Sequence, residues 1–165
     1  MRIFDRKFKD HKRQFILQAA LGGLAVGAAL CLFDVVKSPM IVASFGSSAF
    51  GAFTMPHRDI FGPRFLIGGY IVGIVAGVIM HKMAVMPMDS VIAQRALYTL
   101  AGAFAACLAI FVMGITETEH APGTSIAIGF ALNSWTIMTI ILVLAGIIMI
   151  SVLQRFLKRW MIDLI

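Results

Sequence analysis

Charge is scarce in this sequence. Asp, Glu, Lys and Arg make up 13% of its 165 residues, against about a quarter in a soluble domain, and none falls between Ala121 and Gln154. A chain so poor in ionic groups has too little polar surface to clothe a water-soluble globule. Cysteine is as sparse. Cys31 and Cys107 sit in separate apolar segments with neither a second Cys nor a His at ligand spacing, which excludes a disulfide framework and a zinc site and predicts two buried, inert thiols. No nucleophile with a base at a defined spacing, no metal-ligand set and no phosphate loop is present, so neither catalysis nor a metal or other cofactor is expected. The net charge of +6 does not indicate nucleic acid, because no basic run is interleaved with base-stacking aromatics.

Long apolar runs are what the sequence has instead. Hydrophobic residues reach 60%, and a helix needs about 20 of them to cross the hydrocarbon core. Four segments meet or approach that length: Phe15 to Phe33, Phe65 to Met80 (the shortest), Ala96 to Thr116, and Trp135 to Leu153. The first follows a basic start, yet it is long for a signal-peptide core and lacks a cleavage site, so it reads as a retained span. Small residues recur within the spans. Gly22, Gly23 and Gly27 lie in the first, and Gly69, Gly73 and Gly77 follow at i, i+4, i+8 in the second, a spacing that lets helix backbones approach closely.

Two further stretches, Ser38 to Pro56 and His120 to Leu132, are apolar but short, rich in small residues and led by Pro39 and Pro122. Proline in a first helical turn sacrifices no internal hydrogen bond, so each reads as a helix start, and the Ser and Thr behind it can satisfy free backbone donors. The expected fold class is therefore an all-α polytopic membrane helix bundle with four long spans and two short Pro-led half-helices. The order long, short, long occurs twice, which predicts an internal two-fold repeat over about residues 15–80 and 96–154 of a transmembrane domain at 15–154. A basic segment, 1–14, precedes the domain and a basic tail, 155–165, follows it.

If the short helices re-enter there are four crossings, and if they pass through there are six; the distribution of Lys and Arg favours six slightly. Both numbers are even, so both termini share a side. Six of the fourteen basic residues lie from Arg2 to Arg13, and with Arg155, Lys158 and Arg159 they put that side in the cytoplasm, the membrane being the cell's inner, or plasma, membrane.

Ionisable groups near membrane depth draw attention because they are costly there. Glu117, Glu119 and His120 precede the second short helix, His57, Arg58 and Asp59 flank the first, and Asp34 and Lys37 mark the end of the first span. Helix N-termini offer backbone N–H groups that suit anions. Ser44, Phe45, Gly46, Ser47 and Ser48 at one short helix, and His120, Pro122, Gly123, Thr124 and Ser125 at the other, form the expected substrate-binding set, with the two helix starts facing one another near mid-membrane around one small anion.

The strings Ala-Ser-Phe-Gly-Ser-Ser-Ala (Ala43 to Ala49), Pro56-His57, Pro63-Arg64 and Ile67-Gly68-Gly69, followed by His120-Ala121-Pro122, resemble the HPP family of integral membrane proteins over nearly the whole chain after the basic start. The naming motif would read His-Pro-Pro, and Tyr70 stands where a His is common. The resemblance implies a four-span membrane protein and, through related plastid and cyanobacterial proteins, nitrite transport. The expected function is thus a transporter or channel for a small inorganic anion, nitrite first among the substrates. The alternative is a scaffold whose Gly and Ser only pack helices while its basic start holds anionic lipid or a soluble partner. The expected partners are the lipid bilayer and the anion, with no nucleic acid; whether one protomer or a homo-oligomer encloses the path stays open.

Overall fold

A computed structural model describes residues 7, 10–31 and 39–165. Asp34, Lys37, Ser38 and the end of the first span at Phe33 therefore lie outside the described residues. Within them the chain forms six α-helices and two short 3-10 turns: α1 (Lys12–Leu30), α2 (Pro39–Thr54), α3 (Pro63–Ala84), α4 (Val91–Thr116), α5 (Ala121–Leu132) and α6 (Ile137–Leu157), with turns at Asp59–Phe61 and Lys158–Trp160. No strand is present among the described residues.

The sequence signals account for most helix ends. Pro63 opens α3 directly after Gly62, a position where the missing N–H costs nothing. Ser90 caps α4 by accepting from the Ile92 N–H, and Thr136 and Thr139 form a reciprocal capping box at α6. At the C-terminus of α4, Glu117 adopts φ 51° and ψ 50°, the left-handed cap that ends a helix and redirects the chain. The second long span runs 22 residues, from Pro63 to Ala84, and so is not the shortest; that is α1 with 19. Its amphiphilic ends, Pro63-Arg64 and His81-Lys82, are helical too, which counting apolar letters alone leaves out.

α1, α3, α4 and the segment running on from α6 are long and apolar enough to span a bilayer. Hydroxyls inside the helices fold back on their own backbone: Ser44 donates to the Met40 carbonyl at 2.8 Å, Thr54 to Phe50 at 2.6 Å and Thr116 to Val112 at 2.7 Å. Such bonds dispose of a polar group where no water is available. Cys31 and Cys107 are exposed, contrary to the expectation of burial. They lie on the outer surface of the bundle, where in a membrane protein an apolar thiol faces lipid rather than water.

Contacts fix the running direction of every helix. Gln18 and Gly22 of α1 meet Phe53 at the end of α2, while Ala29 and Phe45 both pack on Gly146 of α6. Gly69 lies by His120, Gly73 by Gly123, and Gly77 by Ala127 and Phe130, so α3 and α5 run parallel. Met113 packs on Gly123 and Leu132 on Gly102, so α4 runs against them. Ile41 meets Gly129 while Ser48 meets His120, so α2 is antiparallel to α5. Direction thus reverses at each successive helix. The two short helices pass through the bundle and do not turn back to the side they came from.

The packing also has an internal regularity. The helix pairs in substantial contact are α1·α2, α1·α6, α2·α5, α2·α6, α3·α4, α3·α5, α3·α6 and α4·α5. Exchanging α1, α2 and α3 with α4, α5 and α6 returns the same set and reverses every direction. The symmetry is unequal in detail. α3 and α5 meet backbone to backbone through Gly69, Gly73 and Gly123, whereas α2 leans on α6 through the ring of Phe45 against Gly146.

Candidate functional site

Ser48, Tyr70 and His120 meet where α2, α3 and the start of α5 converge. Ser48 Oγ lies 3.0 Å from Tyr70 Oη and 2.8 Å from His120 Nε2. Ser48 and Tyr70 are 0% exposed and His120 4%, so the cluster is sealed inside an apolar bundle. The Tyr70 ring lies between Phe45 and His120, at centroid distances of 5.7 and 5.8 Å.

Local sequence explains how His120 arrives there. After Glu117 the chain runs extended to His120 and dips into the bundle beside Gly68 and Gly69. A Cβ on Gly68 would lie 2.7 Å from Thr118 Cγ2, and one on Gly69 would strike the Cβ of His120. The Gly68-Gly69 pair therefore makes the groove that admits the connection. His120 occupies the N-cap position of α5, yet its ring makes no capping bond, because Nε2 is engaged by Ser48. His120 sits in the connection, outside the helices, and burial holds its imidazole below the ordinary histidine range.

A neutral imidazole lets the cluster be wired in two senses. Tyr70 can donate to Ser48 and Ser48 to Nε2, leaving the spare N–H on His120 Nδ1. Alternatively Nε2–H donates to Ser48 and Ser48 to Tyr70, leaving the spare O–H on Tyr70. Either way one donor remains over, and switching sense moves it from one end of the cluster to the other.

The expected binding set is only partly brought together. Ser48 and His120 touch, and Phe45 adjoins through Tyr70. Ser44 is buried but bonded to its own helix, Pro122 and Gly123 are buried against α3, and Thr124 and Ser125 are half-buried on the first turn of α5. Gly46 and Ser47 are exposed on the opposite face of α2, with Ser47 Oγ bonded to Ser44 O at 3.1 Å. The expectation that two helix starts face each other is corrected. α2 begins at Pro39, so Ser44 to Ser48 lie in its interior with their N–H groups inside the helical ladder, and the antiparallel run sets the start of α2 beside the end of α5. Equally, only one face of α2 is turned inward.

The other polar groups near the spans resolve differently. Glu117 pairs with Arg64 at 3.4 Å on the surface, and His57 N–H donates to Asp163 at 3.0 Å. Gln18, fully buried, donates to Phe53 O and Ile162 O and accepts from Ile162 N–H, while Gln154 donates to Pro56 O. Gln18 thus ties α1 to the end of α2 and to the C-terminal segment, and Gln154 ties α6 to the α2–α3 connection. Among the described residues no cluster of His, Cys, Asp and Glu could hold a metal ion. A groove of about 500 Å³ between α1 and α2, lined by Phe15, Ala19, Gly22, Val26, Ala49 and Phe53 among others, is apolar.

Tyr70 stands outside the binding set expected from the sequence. Its signal was available: a phenol inside an apolar span needs a partner for its O–H. Comparison with curated proteins and with solved structures returns no match. The profile of the HPP transmembrane region matches residues 8–162. Matched over nearly its whole length, the chain belongs to the HPP transmembrane family.

Proposed function

We propose that the protein carries a small inorganic anion across the membrane, nitrite first among the candidates, past the Ser48–Tyr70–His120 cluster. The observation that supports this most is the cluster itself: three hydrogen-bonding side chains from three separate elements, enclosed in an apolar bundle whose packing repeats in inverted form. Uncharged donors can replace part of the hydration shell of a monovalent anion without trapping it as a formal charge would. Thr124 and Ser125, with the backbone N–H groups of the first turn of α5, add donors on the same side. Inverted repeats with interrupted or short helices at a shared interface are a recurrent transporter architecture.

Protonation of His120 admits the anion together with a proton, since imidazolium supplies charge only while the anion is there to balance it. Around it stand Ser48 and Tyr70, with Glu119 adjacent in the chain and the Arg64–Glu117 pair at the mouth. The basic residues at both ends of the chain support a cytoplasmic position for both termini in the plasma membrane. The test is uptake of nitrite, nitrate and chloride into proteoliposomes with an imposed pH gradient. Nitrite flux that rises as the outer pH falls, and loses that dependence in His120→Ala, supports the reading. Passage of no small anion at any pH sinks it in favour of the scaffold.

A further inference from the structure

α1 enters the bundle beside the place where α6 leaves it, and between them at that end lies a groove of about 620 Å³. Clefts of about 300–1,000 Å³ hold small ligands. One wall is Arg13, Gln14, Leu17 and Leu21 of α1, and the other is Leu157, Trp160 and Met161. The lining is graded. Arg13 and Gln14 belong to the first turn of α1, and Leu17 and Leu21 follow one and two turns deeper, so the eight steps from Arg13 to Leu21 cover about 12 Å. Half a hydrocarbon core is about 15 Å. On the far wall Leu157 ends α6, and Trp160 in the turn beyond it is 55% exposed with the Arg159 guanidinium 3.9 Å over its ring. An amphipathic ring in that position marks the boundary between hydrocarbon and water. The groove therefore starts at the interface and runs through most of one leaflet.

Charge is as one-sided as the lining. No carboxylate lines the groove, and Arg13 belongs to neither of the ion pairs formed among the described residues. Lys12, Arg155 and Lys158 stand at the same end of the bundle. Of the nearby acids, Asp10 is exposed one turn before Arg13, and Asp163 accepts from the His57 N–H, which leaves the mouth positive. A headgroup phosphate supplies the missing charge, and a lipid brings phosphate and hydrocarbon in the order that the walls require. We propose that the α1–α6 groove binds a phospholipid with an anionic headgroup, its phosphate held by Arg13 and Arg159, its ester oxygens accepting from the Gln14 amide, and an acyl chain lying along Leu17, Leu21 and Leu157. The site does not involve the Ser48–Tyr70–His120 cluster. It stands whether or not the protein carries an anion.

Trp160 lines the groove and Trp135 lies at the opposite end of the bundle, so quenching of one indole at a time by brominated lipid reads the two ends separately. Full-length Trp135→Phe is reconstituted in phosphatidylcholine containing brominated phosphatidylglycerol, and in the reverse mixture with the bromine on phosphatidylcholine. Trp160 fluorescence should report a several-fold preference for phosphatidylglycerol. Arg13→Ala should abolish that preference, whereas Arg58→Ala, which removes an exposed charge from the same end but outside the groove, should keep it. In Trp160→Phe, the remaining Trp135 should distinguish the two lipids little. Equal quenching of Trp160 by both lipids overturns the proposal. So does an equal loss in Arg13→Ala and Arg58→Ala, or an equal preference at Trp135, since either makes the attraction a property of the whole charged surface.

Discussion

Ser48 is the residue on which the buried cluster turns, since it alone bonds both neighbours. Ser48→Ala would leave the phenol of Tyr70 and the imidazole of His120 without partners, a loss of about 1–3 kcal/mol for each unsatisfied group, read as a lower midpoint in detergent thermal unfolding. Tyr70→Phe removes one polar group along with its bond and should cost less. The pH response follows from the burial of His120. Its folded pKa is depressed, so the stability it allows is complete above the unfolded value of about 6.5 and falls as pH drops below that. The wild type should therefore lose thermal stability on acidification between roughly pH 6.5 and 4.5, and His120→Gln should lose less over the same interval, with about 1.4 kcal/mol per pH unit as the ceiling for a single group. An equal slope in both proteins would refute that account. How far such details could be read in advance depended on the residue. His120 and Ser48 stood out as polar groups beside apolar runs, but their mutual contact crosses 72 positions of chain and leaves no trace in local spacing. His81, Gln18 and Gln154 sit within helical apolar context and gave no signal apart from being polar.

Among the elements, α3 is the one whose sequence pattern translated most directly. Gly69, Gly73 and Gly77 at helical spacing required a close neighbour, and α5 supplies it. A Cβ on Gly77 would lie 2.5 Å from Ala127 O, and one on Gly73 would meet Gly123 O. Gly73→Leu should accordingly destabilise the protein by about 1–3 kcal/mol through overpacking. Gly23→Ala, in contrast, has nothing within 4 Å to meet and should stabilise the helix by about 0.5–1 kcal/mol. Matched melting curves of the two variants check both. α2 is already helical at Pro39, so the serines behind it do not form a helix mouth. Proline marks where the first turn is, and Ser44 is already five residues past it. Polarity in a short helix signalled inward packing on one face, as at Ser44 and Ser48, and could not assign Gly46 and Ser47, which the antiparallel crossing with α5 turns outward.

For the whole molecule, the alternation of helix direction decides a question that hydropathy left open. Length and composition identify four spanning helices, but α2 and α5 reverse the chain as the others do. Six passages put the connection at His57 on the same side as Lys12 and that at Met88 on the opposite side; four would invert both. Single cysteines at these two positions, in a background with the exposed Cys31 and Cys107 replaced by Ala, should react with an impermeant maleimide from opposite sides of sealed vesicles, His57→Cys from the side that labels the N-terminal segment. Labelling of Met88→Cys from that same side would restore the four-span arrangement.

Each half of the molecule has three helices, and three is odd. A unit with an odd number of passes cannot follow itself in tandem and keep its orientation, because the first copy delivers the chain to the far side and the second must insert upside down. Inversion is therefore what parity imposes on any such duplication, before function selects anything. Two copies of such a segment would have to be stable in both orientations, so charge placed to orient the first copy would work against the second. The concentration of basic residues at the start of the chain, with only Lys82 and Arg95 flanking the α3–α4 connection, is the kind of asymmetry that a doubled odd unit would need in order to enter the membrane one way round.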